Sequence, residues 1–109
     1  MKFEWDEDKR LKTLKERGID FADMPQLWED PNRQERIDTR LDYGDDTRWQ
    51  TIGRAKTILR AKFELFFVVY VDRIYEDGEE VTRIVSARLA TSREEELYRR
   101  GAFASEDSD

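Results

Sequence analysis

The spacing of apolar side chains changes along the chain, and each change predicts an element. Phe3 and Trp5 alternate with charged neighbours, as in a short strand. Asp6 then stands where a helix cap belongs, with residues 7–17 as the helix and Gly18 as its stop. Leu11 and Leu14 give this polar helix only a thin apolar stripe, so its stability must come from docking. A second helix has two candidate starts. Asp20 fits a hydrophobic staple made by Ile19 and Met24, whereas Asp23 with Gln26 resembles a capping box and places Pro25 in the first turn. Pro25 favours the later start, because deeper in a helix its ring clashes with the preceding turn. Leu27 and Trp28 face the core, and Asp30-Pro31-Asn32 ends the segment.

From Glu35 the period becomes two. Ile37, Thr39 and Leu41 alternate with Arg36, Asp38 and Arg40, and Tyr43-Gly44-Asp45-Asp46 reads as the turn to a return strand over about 48–53. A longer strand over 62–74 carries the unbroken apolar run 65–71, which suits a central position covered on both faces. Glu76-Asp77-Gly78-Glu79 is the next turn and 81–89 the last strand. Thr91-Ser92-Arg93-Glu94-Glu95 then holds two overlapping capping boxes before a helix to about Arg100. The predicted plan is α+β: a short strand, two helices, a four-stranded antiparallel meander and a C-terminal helix. One domain is expected over 1–102, with 103–109 as an acidic, disordered tail.

Composition narrows the chemistry. The 109 residues include no Cys and no His, which removes thiol nucleophiles, Cys/His zinc sites, Ser-His-Asp triads and imidazole acid–base catalysis. Carboxylates, Arg, Lys, Tyr and the backbone remain. Charged residues make up 42% of the chain, so disorder has to be weighed. The 25 Leu, Ile, Val and Phe nevertheless stand above the roughly 20% level below which chains stay unfolded. The run 65–71 falls far short of the ~18 residues of a membrane span. No secretory pattern opens the chain, so a soluble, cytoplasmic protein is expected.

The net charge of −6 is unevenly spread. Residues 1–46 carry 9 basic and 14 acidic side chains, whereas residues 47–73 carry 6 and 2. Arg48, Arg54, Lys56, Arg60, Lys62, Arg73, Arg83 and Arg88 thus form a basic set on the predicted sheet and its connections. Guanidinium offers phosphate two parallel, permanently charged donors, so an Arg-rich set suits a phosphodiester. The competing explanation is a solvated sheet face that balances acidic helices.

Three stretches carry a family resemblance: Phe3-Glu4-Trp5-Asp6 with Lys9; Gly18-Ile19-Asp20-Phe21 with Asp30-Pro31; and Phe67-Val68-Val69-Tyr70 followed by Arg83-Ile84-Val85-Ser86-Ala87-Arg88 and Ala90-Thr91. With Arg48, Ile52-Gly53, Glu94 and Tyr98, the chain resembles the BrnT family of bacterial type II toxins over about residues 3–100. The resemblance implies a RelE-like fold and a ribonuclease activity that arrests growth. It also implies neutralisation by a BrnA-like antitoxin with a ribbon-helix-helix region, in a heterotetramer that reaches operator DNA through the antitoxin. Two positions depart from the family pattern. Arg17 stands where the family's first helix commonly has His, and Leu89 where Lys commonly follows Ser-Ala-Arg.

RNA cleavage without a metal or cofactor needs a base for the attacking 2′-hydroxyl, a proton for the leaving 5′-oxygen, and donors for the charge developing on phosphate. Arg73, Arg83 and Arg88 are the expected phosphate ligands, with Arg48 beside them. In a regular strand Arg83 and Arg88 have opposite parity, so either a bulge intervenes or Arg88 lies past the strand end. Glu94 or Asp46 is a candidate base, against a capping role for the first and a turn role for the second. Tyr98 is a candidate proton donor or stacking surface, against a packing role. Trp49 and Lys62 complete the candidate RNA contacts, Trp49 pointing away from Arg48, while Trp5 and Trp28 read as core. The alternative function is a catalytically impaired homologue that only binds antitoxin.

Overall fold

The computed structural model describes residues 1–40, 44 and 47–105. Its strands are β1 (Lys2–Trp5), β2 (Gln34–Ile37), β3 (Trp49–Lys56), β4 (Phe63–Ile74) and β5 (Glu80–Leu89). The α-helices are α1 (Glu7–Arg17) and α2 (Ser92–Arg100), and Phe21–Glu29 is a 3₁₀ helix. The strands form one sheet in the order β1-β5-β4-β3-β2.

Residues 65–71 of β4 are all buried, as their unbroken apolar run predicts for a strand with neighbours on both sides and layers on both faces. The 3₁₀ helix covers one face, where Ile19, Phe21, Met24 and Leu27 meet Ala55, Phe66, Val68, Ile84 and Ala87. On the other face, Leu97 and Tyr98 of α2 and Phe103 beyond it meet Ile52, Leu65, Phe67 and Val69. Gly53 permits the closest of these approaches, because a Cβ there would lie 3.0 Å from Leu27 Cγ.

Strands β2 to β5 form the antiparallel meander, but β1 pairs parallel with β5, so the sheet is mixed. A four-residue strand carries no signal for its partner. Here Phe3 and Trp5 pack on the 3₁₀ face, which sets β1 against residues 81–84. The second helix is corrected as well. Asp20 caps it, accepting from Ala22 N at 2.9 Å, and Pro25 lies well inside. The clash that argued against this start belongs to an α turn, and the segment winds as 3₁₀ instead.

Helix α1 has the predicted bounds, with Asp6 accepting from Lys9 N and Gly18 left-handed at φ 69°. Its apolar stripe does not dock it. No residue of α1 is buried, and Leu11 is 50% exposed. Polar ties hold it instead: Arg10 Nη1 lies 3.1 Å from both oxygens of Asp20, and Arg17 donates to the Ala87 carbonyl at 2.8 Å. The strand expected to reach Leu41 ends at Ile37. Asp38 then buries its carboxylate under bonds from the Arg40 backbone N–H and guanidinium. Tyr43, Asp45 and Asp46 of the predicted turn, with Leu41 and residues 106–109 of the predicted tail, lie outside the described residues. Phe103 belongs to the core rather than to a tail.

Candidate functional site

Residues directly opposite one another in neighbouring strands share a face of the sheet. Arg88 lies opposite Phe67 and Arg83 opposite Val71, and these two β4 residues, four apart, point the same way. The register shifts between Val69 and Tyr70, leaving Val85 as an extra residue in β5. That bulge brings Arg83 and Arg88 onto one face despite their opposite parity. Register places Glu4 of β1, beside Arg83, and Arg36 of β2, across from Gln50, on this face too. It is the face that α2 and Phe103 partly cover.

Beyond that cover, Arg48, Arg73 and Arg83 surround Val71 in a depression of about 140 Å³, with Asp6 and Lys9 at its rim. Arg83 donates to Glu4 Oε2 at 2.5 Å, and the Tyr75 hydroxyl donates to Glu4 Oε1 at 2.5 Å. Further along, the Arg88 guanidinium lies 3.9 Å over the Phe67 ring. It binds Glu94 in a fork, Nη1 to Oε1 at 2.8 Å and Nη2 to Oε2 at 2.9 Å. Arg36 lies 3.9 Å over Phe103 and donates to Gln50, while Arg40 reaches within 5.9 Å of the Phe67 ring. One sheet face of an acidic chain therefore gathers Arg36, Arg40, Arg48, Arg73, Arg83 and Arg88 against Glu4, Asp38 and Glu94. Four residues of strand separate Val71 from Phe67, about 13 Å, so the cluster has room for more than one phosphate.

The structure thus brings together Arg48, Arg73, Arg83, Arg88 and Glu94, and it sets the other candidates apart. Trp49 lies opposite Tyr70 and Ile37, on the far face from Arg48. Lys62 precedes β4, at the end opposite Arg73, and lines a separate groove of about 380 Å³ with Arg54 and Arg99. Tyr98 is 8% exposed, and its hydroxyl donates to Asp30 Oδ2 at 2.6 Å, which ties α2 to the end of the 3₁₀ helix. Asp46 lies outside the described residues. Arg36, Arg40, Glu4 and Tyr75 join the face although the sequence did not mark them as site residues, Glu4 standing there only within a stretch of family resemblance. The first two share parity in one predicted strand, but they sit in a segment whose charge count is acidic.

Glu94 caps α2, its Oε1 accepting the Thr91 N–H at 2.9 Å while the Thr91 hydroxyl accepts from Glu94 N. Burial pushes its carboxyl pKa up, but the Arg88 fork and the Thr91 N–H outweigh burial and hold it below the usual value. Asp30, Glu35, Glu4 and Glu64 are lowered as well. A carboxylate with a depressed folded pKa contributes stability above its unfolded pKa, about 4.3 for Glu, and loses that contribution as pH falls through the folded value. The melting temperature is therefore expected to hold from pH 7 to about 4.5 and to fall below it. Glu94→Gln should flatten part of that fall, as thermal melts across this range would register.

Among the described residues, no group of three or more carboxylates is placed to hold a metal ion, and no helix is long and apolar enough to cross a membrane. Among curated proteins, none matches the chain. A family model described as "ribonuclease toxin, BrnT, of type II toxin-antitoxin system" matches residues 5–94. That span contains most of the arginine face, from Arg36 to Arg88 and its Glu94 partner, and the chain belongs to this family of ribonuclease toxins.

Proposed function

We propose that the protein is an endoribonuclease toxin with a RelE-like fold, which cleaves RNA by attack of the 2′-hydroxyl on the adjacent phosphorus and so arrests growth. The bulge that sets Arg83 and Arg88 on one face with Arg48 and Arg73 carries this reading. Arg73 and Arg83 face the phosphate on which charge develops, and Arg48 and Arg88 hold the backbone phosphates beside it. Arg88 keeps donors for this task, because the fork to Glu94 and its bond to the Leu89 carbonyl use three of its N–H groups. Glu94 positions Arg88, and Tyr98 fixes α2 beneath it.

The required antitoxin is a BrnA-like, ribbon-helix-helix protein that covers the arginine face with an acidic or amphipathic helix. The complex is a heterotetramer that meets operator DNA through the antitoxin.

Induced expression with mapping of new RNA 5′ ends, joined to cleavage by purified protein in excess chelator, tests the reading. Expected are growth arrest, 2′,3′-cyclic phosphate and 5′-hydroxyl ends, and no effect of the chelator. A folded wild-type protein that binds antitoxin and leaves RNA intact would instead identify the binding-only homologue.

A further inference from the structure

The chain holds no His, and its carboxylates are the side chains that stand ready as ionised bases at neutral pH. Glu94 has both oxygens engaged by the Arg88 fork and the Thr91 N–H, and its side chain is only 10% exposed in the first turn of α2. Asp38 is fully buried and bound by Arg40. Glu4 differs from both in its place and in its neighbours.

Its strand pairing puts it beside Arg83, which lines the depression together with Arg73 and Arg48. Arg83 engages one oxygen and Tyr75 the other, each through a single hydrogen bond. A carboxylate offers about four lone-pair sites, so each oxygen can accept one bond more. The side chain remains partly exposed toward solvent.

We propose that Glu4 is the general base of the cleavage, taking the proton of the attacking 2′-hydroxyl at a phosphodiester held by Arg73 and Arg83. The inference rests on the ribonuclease reading above. In the step, the 2′-O–H bond breaks and its proton passes to Glu4. The 2′-oxygen bonds to phosphorus, the bond from phosphorus to the 5′-oxygen breaks, and the leaving oxygen takes a proton from water. Glu4 then returns its proton to solvent. Arg83 and Tyr75 act as positioning residues by fixing the two carboxylate oxygens.

The groups that face Glu4 are Tyr75 from the β4–β5 turn, Arg83 from β5, Arg73 from β4 and Lys2 on its own strand, with Asp6 and Lys9 at the rim. The Tyr75 hydrogen bond is the largest influence on its carboxyl pKa, which lies below the usual value. Glu4 is therefore ionised across the neutral range, and the acid limb of the cleavage profile should lie below the usual glutamate pKa. Removing the Tyr75 hydroxyl raises the Glu4 pKa and moves that limb to higher pH.

Single-turnover cleavage of a short RNA from pH 3 to 8, by wild type, Glu4→Gln and Tyr75→Phe, tests the proposal. Expected are a loss of about 10²-fold or more at pH 7 in Glu4→Gln, within the usual range for a general base, and an acid limb displaced upward in Tyr75→Phe. A folded Glu4→Gln that cleaves within about threefold of wild type overturns the assignment. So does an acid limb that stays in place in Tyr75→Phe, a variant that leaves β1 intact and so covers the case in which Glu4→Gln does not fold. A wild-type protein that leaves every RNA uncut overturns the ribonuclease reading itself, and that result is distinct because it needs no variant.

Discussion

Arg88→Ala is expected to lower RNA cleavage about 10²-fold, because losing the contact to the neighbouring phosphate lets the scissile one shift out of place. The same change weakens the fold. Glu94, whose side chain is only 10% exposed, would lose its guanidinium partner while keeping the Thr91 N–H. Breaking a fully buried pair costs about 3–5 kcal/mol. Arg88 is 36% exposed, so solvent screens the remaining charge and a loss of about 1–2 kcal/mol is expected. The two effects separate in the double variant Arg88→Ala/Glu94→Gln, which no longer buries an unpaired charge. Its denaturation midpoint should recover toward wild type while cleavage stays low. Recovery of cleavage together with stability would remove Arg88 from the phosphate contacts. Arg88→Lys should restore little activity, because an ammonium cannot form the planar fork with Glu94 and still face a phosphate.

The parity of Arg83 and Arg88 marks how far the sequence could be read toward this site. Periodicity forbade a shared face in a regular strand and left two ways out, a bulge or a strand that ends before Arg88; Arg88 lies within β5, and the bulge at Val85 is the one realised. Helix α1, the central place of β4 and the Thr91–Glu94 capping box were legible because each has a local cause: a cap with a stop, an unbroken apolar run, a reciprocal pair of bonds. Elements whose cause is distant were not legible. Nothing within residues 2–5 selects residues 81–84 as a parallel partner. Glu4 and Tyr75, 71 residues apart, meet only because that pairing forms. Arg36 and Arg40 were hidden by acidic sequence neighbours that the strand directs elsewhere, such as Glu35, which accepts the Tyr70 hydroxyl on the opposite face. The 3₁₀ winding around Pro25 likewise reflects packing of Phe21, Met24 and Leu27 on the sheet more than local propensity.

Phe103 is the strongest case of a distant cause, and its substitution is expected to have the largest effect on stability. Sequence composition assigns it to an acidic tail, yet its side chain is 0% exposed. Its ring meets Phe67 edge to face at 6.4 Å, its N–H donates to Gln34 Oε1 at 2.9 Å, and the Arg36 guanidinium covers the ring at 3.9 Å. Phe103→Ala should therefore cost about 3–5 kcal/mol, a fall in melting temperature on the order of 10–20 °C for a domain of this size. Ser105→Ala, two residues on and exposed, should stay within about 0.5 kcal/mol of wild type. Phe103→Leu separates burial from the ring: it should recover most of the stability but leave Arg36 without an aromatic face. Because Phe67 supports Phe103 on one side and Arg88 on the other, cleavage should fall in Phe103→Ala even at temperatures where the protein stays folded. A Phe103→Ala protein that melts with the wild type would return the residue to the tail and detach the arginine face from the C-terminal cover.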